Sequence, residues 1–253
     1  MTHSLSAILI ARNEETDLPD CLNSLKSLDP EIVIVVSSDT TDRTDEIARQ
    51  FGAKVIRRPF DDYARQRQAG LDVATKDWCL WIDPDERVTA PLAREISTVL
   101  AANPAESAFE IQFEVTFLGR RLRWGGLGSE RHVRLFRRTR AQFAGGSLHE
   151  HLQIAGPTAR LLQKMEHHPY RDLSDYLQKL DRYTTLAAEK RYQSGIRFRS
   201  WRHLMLPGEY FIRCVVKLGF LDGFPGLVWA GLAAFHSWLK YAKLREMELR
   251  EKR

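Results

Sequence analysis

Apolar positions in the first hundred residues fall into two alternating patterns. Short, mainly apolar runs at Ser6–Ala11 (SAILIA), Ile32–Val36 (IVIVV), Ala53–Ile56 and Trp78–Ile82 (WCLWI) predict strands buried on both faces. Between them, apolar residues recur at helical spacing, as in Leu18, Leu22 and Leu25 behind a candidate N-cap at Asp17. Further helices are predicted over Thr41–Phe51 (closed by Gly52), Asp61–Ala74, and Pro91–Ala102, which opens on proline. Four strands alternating with helices predict an α/β chain with a parallel sheet covered on both faces.

The pattern changes after residue 108. Phe109, Ile111, Phe113, Val115 and Phe117 alternate with Glu110, Gln112, Glu114 and Thr116. That period of two predicts a half-exposed antiparallel strand, with a hairpin turn at Gly119 leading to Arg121–Trp124. Leu173–Tyr192 predicts a long, polar-faced helix. Leu218–Leu239 is almost uncharged, but Asp222 and Pro225 leave only about 14 residues before Lys240, short of the roughly 20 a spanning helix needs. A re-entrant or surface-lying hairpin is expected instead. Arg197, Arg199 and Arg202 around Trp201, with Trp229, Trp238 and Tyr241 at belt-like positions, have the composition of an interfacial membrane helix. The expected organisation is a catalytic domain over 1–170, in halves 1–102 and 103–170, followed by a helical, basic, membrane-associating region over 171–253.

Charge sharpens this division. The net charge of +5 conceals 12 basic against 18 acidic side chains in residues 1–100, and an excess of basic ones in the remainder. With 43% hydrophobic and 28% charged residues, the chain is neither disordered nor fibrous. Cys21, Cys79 and Cys214 are odd in number and far apart, so they fit neither a disulfide framework nor a zinc pattern. The first apolar run stops at Arg12, and no secretory signal is expected. Eight arginines and one acid, Glu130, occupy Arg120–Arg140 beside Trp124 and Phe136. Arginine in that company fits recognition of phosphate or carboxylate. Nucleic acid is not expected as a partner, because the acidic N-terminal part would repel its backbone.

In a parallel α/β sheet, ligands bind at the carboxyl ends of the strands. Three polar clusters are predicted to meet there: Ala11-Arg12-Asn13-Glu14-Glu15, Ser37-Ser38-Asp39-Thr40-Thr41-Asp42, and Asp83-Pro84-Asp85-Glu86. Helix capping is the structural alternative for such residues. Asp83, Asp85 and Glu86 would repel one another unless a cation intervened, and a hard Mg²⁺ or Mn²⁺ takes carboxylate oxygens together with phosphates. Gly125-Gly126-Leu127-Gly128 does not lie between a strand and a helix, and no Walker loop is present. The residues therefore favour a nucleotide diphosphate held through metal and carboxylates over an NAD or ATP site.

In this order the clusters resemble the family 2 glycosyltransferases of the GT-A (nucleotide-diphospho-sugar transferase) fold, which has a Rossmann-like sheet. SAILIARNEE resembles the family's strand and YNE-type turn, and IVIVVSSDTTDRT its VVDxxSTDGT segment. Arg67-Gln68-Ala69-Gly70 resembles RNxG, and IDPDE the LDADE form of its DxD motif. Later stretches, including Arg134–Arg138, Leu148-His149-Glu150, Lys217–Gly223 and Leu239–Leu244, resemble the bacterial lipopolysaccharide-core glucosyltransferase-like branch.

The resemblance implies that Ala11, Arg12 and Glu14 line a nucleoside pocket and that Arg67 contacts the base or a phosphate. It further implies that Asp83 approaches the ribose or the metal and that Asp85 is the main metal ligand. The family's base-gripping aspartate falls on Ser37, with Asp39 as a candidate replacement. An inverting transfer needs a carboxylate to deprotonate the acceptor hydroxyl. Glu150 is the first candidate and Glu130 the second; His149 or His151 is a candidate extra metal ligand, and His167-His168-Pro169 reads as a loop cap.

The implied activity is transfer of a sugar from a nucleotide-diphosphate donor, UDP-sugar foremost, to a lipid-linked or lipopolysaccharide-core acceptor. It would take place at an anionic membrane surface, the cytoplasmic face of the inner membrane, with the chain peripheral or monotopic. A polyprenyl-phosphate glycosyltransferase and, because of Ser37, an inactive GT-A module serving as an interaction protein are the alternatives.

Overall fold

The computed structural model describes residues 5–127, 130–145 and 151–251. Four parallel strands form where the apolar runs predict them: β1 (Leu5–Ala11), β2 (Glu31–Ser37), β3 (Lys54–Arg58) and β4 (Trp78–Trp81), in spatial order β3-β2-β1-β4. Burial on both faces accounts for the mainly apolar character of β1, β2 and β4, whereas β3 (KVIRR) is the edge strand and has no fully buried residue. Leu9, Ile34 and Leu80 enter one core cluster, while Ile8, Val33 and Cys79 enter another.

Helices α1 (Leu18–Leu25), α2 (Thr44–Gln50), α3 (Tyr63–Val73) and α4 (Ala90–Ala101) connect these strands or follow them. Asp62 caps α3 by accepting from the Arg65 N–H at 2.8 Å, and Thr89 caps α4 through the Leu92 N–H at 3.2 Å. Asp17 does occupy the N-cap position of α1, but makes no side-chain cap bond; proline in the first turn has no N–H to be capped. Gly70 lets α3 approach the sheet closely, since a Cβ there would lie 2.6 Å from a methyl of Ile8.

Beyond β4 the sheet becomes mixed. It continues through β8 (Arg131–Arg137), β6 (Ala108–Phe117), β11 (Thr158–His167) and β5 (Glu86–Val88), with β4–β8, β6–β8 and β11–β5 antiparallel. The alternation over 109–117 is seen as burial, with Phe109, Ile111, Phe113, Val115 and Phe117 inward. A separate two-stranded sheet pairs β9 (Ala141–Ala144) with β10 (His151–Ile154). Gly119 turns the chain at φ +72° into β7 (Arg120–Arg121), which pairs with Thr116 and Phe117. The cysteines are buried and free.

The chain divides into two compact units, Met1–Phe113 with Glu130–His167, and Glu114–Ser129 with His168–Arg253. Compared with the boundary expected after residue 170, the difference is that 114–129 groups with the C-terminal helices. One contact within the second unit explains the grouping: buried Asp222 accepts from the backbone N–H groups of Arg123 at 3.0 Å and Trp124 at 2.8 Å. An acid in an otherwise apolar run is thus a tether for this insert. Phe117, Leu122, Tyr176 and Leu180 form the core around it.

The helices of this unit are α5 (Leu173–Gln193), α6 (Met205–Phe211) and α7 (Gly223–Glu251). A wider π-type turn extends α6 over Ile212–Val216. No single helix among the described residues is long and apolar enough to cross a bilayer. Ser200–Val216 and Gly219–Glu251 reach that composition only as a pair, bent by 70°.

Candidate active site

The carboxyl ends of β1 and β2 are tied into one rim by hydrogen bonds between their loops. Asn13, at φ +57°, accepts the Thr41 N–H at 2.9 Å. The Glu14 N–H donates to the Thr44 hydroxyl at 2.7 Å, and the Glu15 N–H to Asp42 at 2.9 Å. Asp42 also accepts the N–H and hydroxyl of Thr44. These bonds occupy residues 41–43 in the loop, so α2 starts later than the helical spacing predicts.

Ala11 closes β1 with its side chain in the core, leaving only backbone to line a pocket. Ser37 is buried, and its hydroxyl donates to Asp39 at 2.5 Å; Asp39 pairs with Arg12 at 2.6 Å. The hydroxyl bond from Ser37, aided by the Arg12 guanidinium, holds the Asp39 carboxyl below its ordinary range against the opposing effect of burial. A carboxylate therefore stands at the strand-end rim two residues beyond the serine that departs from the family pattern.

The end of β4 is organised by two arginines. Arg67 from α3 and Arg134 from β8 lie 4.2 and 4.0 Å from the Trp81 ring centroid. Both donate to Asp83, Arg67 at 3.2 Å and Arg134 at 3.1 Å, and the Trp81 indole N–H adds a third bond at 3.3 Å. Burial opposes ionisation of Asp83, but the fields of Arg134 and Arg67 prevail and hold its carboxyl well below the usual range. Arg134 also bonds Glu86, which is fully buried and whose other oxygen accepts the Asp83 N–H at 3.0 Å. Burial, resisted by Arg134 and reinforced by Asp83, pushes the Glu86 carboxyl up to about 7.

Two residues on, Asp85 points elsewhere. The register of β11 on β5 sets His167 opposite Glu86, and the His167 Nε2 lies 3.4 Å from an Asp85 oxygen. One ligand atom from each of Asp85, Glu86 and His167 falls within 4.8 Å of the others. Burial would lower the imidazole's pKa, but the bond to Asp85 and the fields of Asp85, Glu86 and Asp83 outweigh it, and the pKa is raised. Two carboxylates and an imidazole are a donor set suited to a divalent cation such as Mg²⁺ or Mn²⁺.

Asp83, also expected among the ligands, accepts from two guanidinium groups and lies outside this group. One expectation needs correction. His167, expected to cap a loop, ends a strand and stands beside Asp85. The sequence signal that could have found it is the long run 158–167 (TARLLQKMEH), whose register alone carries the histidine to the acidic turn. His151 is exposed on β10, 3.1 Å from Gln153, and is outside the group. Glu130 is exposed at the start of β8, its carbonyl accepting the Phe113 N–H at 3.2 Å. Glu150 and His149 lie outside the described residues.

Comparison with known proteins brings glycosyltransferases to this chain's side. Residues 6–109 match the family model Glycosyl transferase family 2. An uncharacterized glycosyltransferase of Rickettsia typhi is 27% identical over 98% of this chain and 89% of its own length. The lipopolysaccharide core biosynthesis glycosyltransferase LpsC of Rhizobium meliloti is 26% identical over 95% of this chain and 91% of its own. Among solved structures, the mannosyltransferase PcManGT from Pyrobaculum calidifontis, in complex with GDP-Man and Mn²⁺, is similar with a TM-score of 0.50 at 14% identity. The match covers 92% of this chain and 73% of that one, a likeness of fold. Residues 6–109 thus match the family 2 glycosyltransferase model, on a GT-A-like α/β scaffold, in a chain whose relatives include a lipopolysaccharide-core glycosyltransferase.

Proposed function

We propose that the protein is a metal-dependent, inverting glycosyltransferase moving a sugar from a nucleotide-diphosphate donor, UDP-sugar foremost, to a lipopolysaccharide-core or other lipid-linked sugar. The observation that carries the reading is the Asp85–Glu86–His167 group at the strand ends of a family 2 domain. A divalent cation bound there would neutralise the departing diphosphate. Asp85 and His167 would hold that cation, with Glu86 completing the set. Arg12, Glu14, Ser37 and Asp39 form the side of the rim assigned to the nucleoside, where Asp39 supplies the carboxylate that Ser37 lacks. Asp83 holds Arg67 and Arg134 in place and remains available to a ribose hydroxyl through its edge. Glu150 is assigned as the base that removes the acceptor proton, with Glu130 second. A lipid-linked acceptor assigns the reaction to the cytoplasmic face of the inner membrane.

The test is thermal unfolding with UDP-, GDP- and ADP-sugars, each with and without Mn²⁺. Saturation at a hundred times Kd adds about 2.7 kcal/mol, so one nucleotide should raise Tm by several degrees only with the metal. Asp85→Ala and His167→Ala should abolish that rise. No response to any donor sinks the assignment, and a response that survives both substitutions moves the metal elsewhere. Glu150→Gln should keep the stabilisation while losing transfer.

A further inference from the structure

About half of the exposed large apolar side chains among the described residues fall between Trp201 and Leu227, roughly a tenth of the chain. Dispersed apolar exposure is ordinary for a protein surface, but this concentration is not. Phe211 is 57% exposed, Val216 64%, Phe220 48%, Leu221 46% and Phe224 71%. All lie where the chain passes from α6 through the π-type turn into α7, the corner at which the pair bends by 70°.

The exposure is built in, because the corner's backbone has little freedom to fold these side chains inward. A Cβ on Gly226 would lie 2.1 Å from the Gly219 carbonyl oxygen, and one on Gly219 would lie 2.6 Å from that of Arg213. Gly223 has φ +67°, and buried Asp222 is bonded to the backbone of residues 123 and 124. The buried positions of the corner are thus glycines, Cys214 and one satisfied acid, while Phe211, Val216, Phe220, Leu221 and Phe224 face outward.

Charge selects the partner. Between residues 196 and 227 the acids are Asp222, buried, and Glu209, paired with Arg213 at 3.3 Å. Lys217 is exposed at the corner itself, and the exposed Arg120 guanidinium stands beside Gly223. Outward-facing apolar side chains bordered by these cations complement an anionic lipid surface.

We infer that the α6–α7 corner is a wedge that inserts its apolar side chains into one leaflet of an anionic phospholipid bilayer, with Arg120 and Lys217 on the headgroups. The lipid-linked acceptor reading agrees with this inference but does not supply its evidence, and the donor site plays no part in it.

The test is flotation of the full chain with vesicles of phosphatidylglycerol and phosphatidylethanolamine, against vesicles of phosphatidylcholine. Binding should favour the anionic vesicles and weaken with salt. Phe220→Ser and Phe224→Ser should each lower the partition constant about tenfold, leaving Tm unchanged because both side chains are exposed. Arg120→Gln and Lys217→Gln should each weaken binding to anionic vesicles by about fivefold, at about 1 kcal/mol per charge. Failure to float with either vesicle overturns the inference, as does equal binding by the phenylalanine variants. Concentration-dependent self-association that those variants abolish overturns it too, making the corner a contact between copies. Nucleotide-dependent stabilisation, measured on the same variants, separates the two readings: its loss in the parent protein refutes the donor site and leaves the wedge standing.

Discussion

Replacing Arg134 by methionine isolates the electrostatics at the core of the site. Methionine keeps apolar bulk against Trp81 and Phe113, whose ring centroids lie 4.0 and 5.2 Å from the guanidinium carbon, but removes the charge. Asp83 then keeps Arg67, while Glu86, 2% exposed, stays buried beside it without its guanidinium. Removing one partner of a buried ion pair costs about 3–5 kcal/mol. Glu86 can relieve part of this by taking up a proton, since its carboxyl is already pushed up to about 7. Without Arg134 it rises further, so the loss should be larger at pH 8 than at pH 6. For a chain of this size, about 3 kcal/mol corresponds to a Tm lower by roughly 6–12 °C. Glu86→Gln removes the second carboxylate while keeping an acceptor for Arg134. In the double variant the arginine is no longer needed to neutralise Glu86, so the two losses should combine to less than their sum, with a coupling of at least about 1 kcal/mol. The assay is urea unfolding of all four proteins followed by tryptophan fluorescence. A loss under about 1 kcal/mol in Arg134→Met, or strict additivity, would refute the claim that Arg134 neutralises these acids.

Three further outcomes are expected. Burial opposes ionisation of Glu31, but Lys54, Ser6 and Thr75 bond it and hold its carboxyl at about 2, below the ordinary 4.5. A depressed carboxyl stabilises the fold above its unfolded pKa, and this stability is lost as pH falls from about 4.5 through about 2. Glu31→Gln should therefore cost up to about 3 kcal/mol at neutral pH, and the deficit should shrink in urea titrations at pH 3. Gly226→Ala should lower Tm sharply, because the obstructing Gly219 oxygen is backbone, whereas Gly208→Ala in α6, with nothing within 4 Å, should leave Tm unchanged or raise it. Asp222→Ala should cost about 2–3 kcal/mol by leaving the N–H groups of Arg123 and Trp124 without their charged acceptor, a loss calorimetry would detect.

Three of the four parallel strands were legible because strands buried on both faces are mainly apolar, a signal that needs no partner to read; the edge strand β3 shows it only at Val55 and Ile56. The rim residues followed from the strand ends, and Asp85 from the repulsion its neighbours would otherwise impose. His167 was not legible, because its place depends on the register of β11 against a three-residue strand, β5, too short to announce itself. The pairing of Asp83 with Arg134 joins residues 51 positions apart and was equally hidden. Asp222 was read only as an interruption of an apolar segment. Its role became visible once its carboxylate was seen on the backbone of residues 123 and 124.

Those hidden pairings also distinguish the two ends of IDPDE as candidates for a cation. The acids of the rim are matched by groups of different kinds. Asp39 has Arg12, Asp42 has backbone N–H and hydroxyl donors, and Asp83 has two arginines. Guanidinium groups do not give up their protons at any relevant pH, so Asp83 is neutralised permanently and gains little from a metal. Asp85 is matched by His167, whose raised pKa records the acidic field around it and whose proton can still be released. An imidazole that loses its proton becomes a ligand, so a divalent ion can replace a proton at this position without leaving a buried charge uncompensated. Exchange of the two arginines for neutral residues would spread the acidic field over all three carboxylates and blur the distinction. The fixed cations at Asp83 and the exchangeable one at Asp85 together favour Asp85 and His167 as the centre of the proposed divalent site.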